Sequence, residues 1–264
     1  MSSSQLSYSS SRHPIVLPTP QQRKRVLHLL TSLTPHYTKE CTRSAQSLYV
    51  EQAIERYTPL IGHRAPESLS WLGTLGLNPL EIGIDNDGTN LHKIKRSSEP
   101  DSHKYFFAIN LFNSFDIIPD LFATMFRVGA VLGYQNVFVS IYENGSTDQT
   151  QALLRIFDSL MRSVGMRVVI KSSNRKRGIH VHRIEYLAEV RNAAIQPLFD
   201  LRDQENEYFD SIVFMNDILP CIDDLLELIW QSRRQNAGVT CAADYMYHDE
   251  IVSLIVFVSL SCSL

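Results

Sequence analysis

Two polar clusters, each closing a short apolar run, carry residue types suited to a phosphorylated ligand. The first is Asn216-Asp217, which follows Ser211-Ile212-Val213-Phe214-Met215 and precedes Ile218-Leu219-Pro220. In a chain that alternates strands and helices, such a run reads as a buried strand presenting a polar pair at its carboxyl end, where open α/β sheets bind ligands. A carboxylate beside an amide offers hard oxygen donors to a divalent cation that holds a diphosphate. The plainer alternative is a strand-end turn, where Asn and Asp are common. The second cluster is Glu143-Asn144-Gly145-Ser146-Thr147-Asp148-Gln149-Thr150. Asn144-Gly145 makes a tight turn, and Ser146 with Gln149 fits an S-x-x-Q capping box, so a helix is expected to start there. A strand, a polar turn and a helix N-terminus together make a seat for a nucleotide. Glu143, at the strand end, can accept hydrogen bonds from a ribose or a base; a capped helix with a solvated Glu143 is the plainer alternative.

Other groups have a weaker claim. Arg191-Asn192 lies on a helical pattern whose apolar stripe is Ile184, Leu187, Val190 and Ala194. Arg191 can contact a nucleotide-sugar, or serve in a surface ion pair. Asp244 follows the run Val239–Ala242 as a second strand-end carboxylate that can flank a metal or a sugar with Asp217. The basic stretch from Arg175 to Arg183 can reach a diphosphate or stay solvated. His180 and His182 lack the company of a metal site. Asp223-Asp224 reads as the acidic first turn of a helix, and Asp85-Asn86-Asp87-Gly88 as a plain turn. Asn144-Gly145-Ser146 is also a glycosylation sequon, expected to go unused inside an α/β crevice.

The elements that must position these groups follow in order. Helices are expected over residues 21–33 and 38–57, and residues 61–100 are loop-like. From residue 104 strands alternate with helices: strands at 105–111, 136–142, 166–171, 212–215 and 239–242, with helices at 120–132, from the capping box to about 164, 183–199 and 222–235. That alternation predicts parallel βαβ units with helices on the sheet faces. The domain reading is a disordered or short helical segment over 1–34, a helical and loop region over 35–103, an α/β domain over 104–250 and an apolar tail over 251–264. The tail, IVSLIVFVSLSCSL, is too short to span a bilayer as a helix. It is open to three readings: a last buried strand, a sticky hydrophobic tail, or sequence outside the fold, with the third preferred.

The 264 residues are 44% hydrophobic and 20% charged, enough to bury a substantial core. A net charge of -3 gives no electrostatic footprint for nucleic acid. The four cysteines, Cys41, Cys221, Cys241 and Cys262, lack metal-type spacing and read as buried thiols, with a Cys221–Cys241 pair open in an oxidising compartment. No signal peptide is visible in the Ser-rich start. No G-x-G-x-x-G follows any expected strand, which weighs against a dinucleotide-binding oxidoreductase.

Taken as a series, four motifs resemble one family. They are Glu143-Asn144-Gly145-Ser146-Thr147-Asp148, then Arg183-Ile184-Glu185-Tyr186-Leu187-Ala188-Glu189-Val190-Arg191-Asn192, then Phe214-Met215-Asn216-Asp217-Ile218, then Cys241-Ala242-Ala243-Asp244-Tyr245. The series is similar to the fungal family-69 glycosyltransferases, the capsule-associated α-1,3-mannosyltransferase-like group, over residues 105–245. The resemblance implies a GT-A-like α/β fold, a GDP-mannose donor, a glycan acceptor, and a Mn2+ or Mg2+ ion. It also implies a lumenal domain in the Golgi or endoplasmic reticulum, with membrane association in full-length relatives. Asn216-Asp217 would stand at the metal-binding acidic motif, and Glu143, Asn144 and Asp148 would line the nucleotide pocket near Arg191. The motif reads Met-Asn-Asp, one carboxylate where the usual form has two. An N-terminal anchor and a further C-terminal portion are absent from the pattern, so an incomplete member is expected. No nucleophile or base can be named. The rival expectations are a nucleotide-sugar-binding fragment without catalysis, another α/β enzyme such as a nucleotidyltransferase, and a non-enzymatic structural protein.

Overall fold

The computed structural model describes residues 19–33, 56–60, 103–173, 182–242 and 256–260. The core is a six-stranded sheet in the order β3-β2-β1-β4-β6-β5. Its strands are β1 (Tyr105–Leu111), β2 (Val137–Glu143), β3 (Arg167–Ser172), β4 (Ser211–Met215), β5 (Val239–Ala242) and β6 (Val256–Leu260). The helices are α1 (Pro20–Leu33), α2 (Ile118–Leu132), α3 (Thr150–Ser163), α4 (Arg183–Glu205) and α5 (Ile222–Arg234).

β1 is central, parallel to both β2 and β4. Its sequence YFFAINL is apolar on both faces because helices cover both. Alternation along the strand sends Tyr105, Phe107, Ile109 and Leu111 into the larger core, which α2, α3 and α5 close. Phe106 and Ala108 go to the other face, under Ala194 and Leu201 of α4. α2 is buried almost all round, which accounts for its sparse charge. It begins with Pro119 in its first turn and ends at Gly133, whose φ of 85° suits a residue without Cβ. Ahead of the sheet, Tyr57 and Leu60 are buried in the larger core. Arg56 pairs with Glu227 of α5 at 2.9 Å and stacks over Trp230.

The amino-terminal edge of the sheet is closed by paired charges. Arg167, opening β3, forks onto Glu207 with Nη1 and Nη2 at 2.7 and 2.8 Å from the two carboxylate oxygens. Lys104 Nζ donates to the same carboxylate at 2.9 Å, and its backbone N–H donates to Asp210 at 2.7 Å. Beneath them Phe106 and Phe138 stack at 5.2 Å, with Phe209 edge-on to both.

The α/β, mostly parallel architecture expected from the alternation is the one found, with strand boundaries shifted by a residue or two. Three details differ. First, the apolar tail is not outside the fold: Val256–Leu260 lies between β4 and β5, antiparallel to both. An uncharged run fits a strand flanked on both sides. β5 therefore runs in the same direction as β1 to β4. Second, α4 continues to Glu205 rather than ending at Phe199. It tolerates Pro197 inside and stops at Asn206, which takes the left-handed conformation at φ 53°. Third, Cys241 is a free, exposed thiol while Cys221 is disulfide-bonded, so the Cys221–Cys241 pair does not form; the partner of Cys221 lies outside the described residues. Most of the helix expected over 38–57, the loop over 61–100 and the basic loop over 174–181 also lie outside them.

Candidate functional site

Strand register brings three carboxyl ends together. Leu111 of β1 lies opposite Glu143 of β2, and Ile109 lies opposite Met215 of β4. The two polar clusters read from the sequence therefore flank the end of β1, at the sheet edge where α/β folds seat ligands.

The loops leaving β1 and β2 are tied to each other by hydrogen bonds. Asn144 N–H donates to the Leu111 carbonyl at 3.0 Å. Asn113 sits in the left-handed region at φ 49°, a conformation Asn adopts more readily than most residues. From there its N–H donates to Ser146 Oγ at 2.9 Å, and its Oδ1 accepts from the Thr147 N–H at 2.9 Å. Ser114 N–H donates to Thr150 Oγ1 at 2.9 Å, and Phe115 N–H donates to Asp148 Oδ2 at 3.2 Å. Asp148 also accepts from Thr150 N–H at 2.9 Å, which closes the first turn of α3. Its slight burial opposes ionisation, but the bonds from Thr150 and Phe115 outweigh this and hold its carboxyl below the ordinary value.

Glu143 is fully buried. One carboxylate oxygen accepts from the Ser146 N–H and the other from Gln151 Nε2, the latter at 2.7 Å. Glu143 thus shapes the turn from within. Asn144 Oδ1 accepts from the Tyr186 hydroxyl at 2.8 Å, which pins the first turn of α4 to the β2 loop. The capping box is not formed. α3 starts at Thr150 after Gln149, because Ser146 is engaged by Asn113 instead.

Asp217 is exposed, and no hydrogen bond or ion pair ties it to any described residue. Asn216 is half-buried beside it, and the Ile218 N–H donates to the Asn216 carbonyl at 2.9 Å, turning the chain sharply after β4. Arg191 is exposed on α4, its guanidinium 5.8 Å from the Phe214 ring centroid. The structure therefore gathers Glu143, Asn144, Asp148 and Asn216-Asp217 along one edge, with Arg191 on the flanking helix. Asp244 lies outside the described residues. Sequence reasoning gave no role to Asn113 or Tyr186. The spacing from Asn113 to the 146–148 loop spans a whole strand and helix, so no local pattern could have revealed the contact.

The oxygen donors at the end of β4 suit a hard divalent cation. Mg2+ and Mn2+ sites use one or two carboxylates completed by substrate phosphates, and an unpaired Asp217 beside the Asn216 amide matches that donor set. A second cluster does not fit. Cys221, Asp223 and Asp224 lie with ligand atoms within 4.8 Å of one another at the start of α5. A disulfide sulfur is no thiolate ligand, and Asp224 accepts from the Cys221 N–H at 3.1 Å as a helix cap.

A mostly parallel sheet flanked by helices, with polar loops and an open carboxylate at its carboxyl edge, is the arrangement in which α/β folds seat a ligand. Residues 104–255, more than half of the chain, match the family described as Cryptococcal mannosyltransferase 1, and the chain belongs to that family. Over 136 residues it is 32% identical to alpha-1,3-mannosyltransferase CMT1 of Cryptococcus neoformans var. neoformans serotype D. That alignment covers 48% of this chain and 29% of the relative, so the chain spans less than a third of that protein. Among solved structures it is similar to the mannosyltransferase PcManGT of Pyrobaculum calidifontis in complex with GDP-Man and Mn2+, at TM-score 0.39 and 13% identity, over 75% of this chain and 47% of that one. It is also similar to S. aureus TarS 1–349, at TM-score 0.37 and 14% identity, over 52% and 34% of the two chains.

Proposed function

We propose that the chain transfers mannose from GDP-mannose to a glycan hydroxyl, in an α-1,3 linkage, with a Mn2+ or Mg2+ ion. One observation carries this reading: Asp217 stands unpaired among the described residues, at an edge where Glu143, Asp148, Asn113 and Asn144 are all hydrogen-bonded. The donor diphosphate would seat across the ends of β1 and β4. Asp217 and the Asn216 amide oxygen would hold the cation, which when bound neutralises charge building on the leaving diphosphate. Asn113 and Glu143 act earlier than any chemistry. They fix the two loops so that backbone groups facing the donor need not reorganise when it arrives. Arg191 would supply a cation on the α4 side of the pocket. An α-linked donor giving an α-linked product makes the reaction retaining.

A lumenal location in the Golgi or endoplasmic reticulum accords with the disulfide at Cys221, since disulfides persist in oxidising compartments. Among the described residues no helix is long and apolar enough to cross a membrane.

The test is a transfer assay with labelled GDP-mannose, Mn2+ and an α-mannoside acceptor. The reading expects a mannosylated product at the acceptor 3-hydroxyl, abolished by chelation and reduced at least about a hundredfold by Asp217→Ala. Transfer from a uridine diphosphate sugar instead, or transfer indifferent to Asp217→Ala, would overturn it.

A further inference from the structure

Asn110 is the penultimate residue of β1, and alternation directs its side chain to the α4 face, with Phe106 and Ala108. Its Oδ1 is shielded from solvent and has no hydrogen-bond partner among the described residues. Two amides on this edge are engaged: Asn113 Oδ1 accepts from Thr147 and Asn144 Oδ1 accepts from Tyr186. Asn216 faces the proposed cation, which leaves Asn110 Oδ1 as a shielded amide oxygen without a partner among the described residues. An unpaired, desolvated carbonyl lowers stability, and natural structures seldom keep one without a reason. Ser211 Oγ and Ser232 Oγ, also buried without a partner among the described residues, lie at the amino end of β4 and within α5, away from the ligand edge.

A carbonyl oxygen only accepts, so the missing partner must bring an N–H or an O–H. Diphosphate oxygens bring neither. The nucleoside half of a nucleotide-sugar brings both, on its base and on its ribose. In register beside Asn110 on β2 is Tyr142, a half-buried aromatic whose side chain packs on the same α4-side cluster. A planar ring next to an amide whose oxygen lacks a partner suits a nucleobase, one addressing its face and the other its edge.

We propose that Asn110 is a nucleoside-recognition residue of the donor site, its amide oxygen accepting a hydrogen bond from an N–H or O–H of the donor's nucleoside. This rests on the nucleotide-sugar reading above and adds what that reading lacks, a group that reads the nucleoside rather than the diphosphate.

The experiment compares the full chain with Asn110→Leu, a near-isosteric apolar replacement, and with Asn110→Ala. Each is melted without ligand and then titrated calorimetrically with GDP, 2′-deoxy-GDP, 3′-deoxy-GDP and inorganic pyrophosphate, all with Mn2+. The expected result is an unliganded melting temperature for Asn110→Leu equal to or above that of the wild type. Its GDP affinity falls about tenfold, as for one lost hydrogen bond with its partner left unpaired, while pyrophosphate affinity is unchanged. In the wild type, a loss with a deoxyribose analogue assigns the donated hydrogen to the ribose, and no loss with either assigns it to the base. In the first case Asn110→Leu erases that preference, and in the second it weakens GDP and both deoxy analogues alike. Unchanged GDP affinity in both variants overturns the proposal. So does a joint fall in GDP and pyrophosphate affinity that tracks a lowered melting temperature, because that is the signature of a structural role. A wild type that binds no nucleotide overturns the donor reading itself, which separates the two failures.

Discussion

The two edges of the sheet treat their polar groups differently. At the amino edge, Glu207 satisfies Arg167 and Lys104 together, and Asp210 satisfies the Lys104 backbone. Arg167 also lies 5.0 Å over the Phe138 ring. At the carboxyl edge the loops are tied just as firmly to each other, yet among the described residues neither Asp217 nor Asn110 Oδ1 has a partner. The charges named at the amino edge are paired within the chain, although Ser211 Oγ there is not; the carboxyl edge keeps a carboxylate and an amide oxygen that the proposed ligand would complete. Such groups cost stability where they stand and are retained where binding needs them.

The largest effect that tests this contrast is on activity at the open edge. Asp217→Ala should reduce mannosyl transfer roughly 10²- to 10³-fold, as for other losses of charge stabilisation in a transition state. Because nothing in the described structure leans on Asp217, chemical denaturation should show stability within about 0.5 kcal/mol of the wild type. A large loss of stability would erase the contrast. The mirror-image change is Glu207→Ala at the closed edge. It leaves the Arg167 guanidinium without its fork partner and should cost about 2 kcal/mol in denaturant unfolding. GDP affinity in the same preparation should be unchanged.

Asn113 lies between these extremes, since it serves the loops without facing a ligand. Asn113→Gly keeps the left-handed backbone but loses the bonds to Thr147, and should cost about 1 kcal/mol. Asn113→Ala also strains the backbone and should cost about 1–2 kcal/mol more. Equilibrium denaturation of the pair separates strain from hydrogen bonding, and calorimetry should show both binding GDP a few-fold more weakly.

The smallest effect is on pH dependence. Burial of Glu207 opposes ionisation, yet the hydrogen bonds from Arg167 and Lys104 outweigh it and hold the carboxyl below its ordinary value. A depressed folded-state pKa contributes stability that is fully present above the unfolded value. That stability is lost as pH falls through the folded one. Melting temperatures should therefore decline below about pH 4.5, and Glu207→Gln should flatten that acid limb. Asp148, more exposed, shifts in the same direction, and Asp148→Asn should flatten the limb less.

What the sequence made legible follows from the range of the forces involved. The strand at Tyr105–Leu111 was readable because seven successive residues commit to two buried faces. Asn216-Asp217 was readable because a strand end announces itself by a change of polarity. The helix start after Glu143 was misplaced because Ser146 answers to Asn113, across an intervening strand and helix. The tail was misread because an apolar run says nothing of its partners; only the pairing of Val256–Leu260 with β4 and β5 shows its place. Asn110 was visible only as a polar residue near a strand end. That its carbonyl lacks a partner is a property of the folded surroundings.

The most direct test of the central claim, that the carboxyl edge binds a nucleotide diphosphate through a cation at Asp217, is a calorimetric titration of GDP into the purified chain with and without Mn2+. The account predicts saturable binding with Mn2+, at least tenfold weaker when the metal is chelated, and equally weak with or without metal in Asp217→Ala. Metal-independent binding that survives Asp217→Ala, or no heat from a sample that unfolds cooperatively, would contradict it.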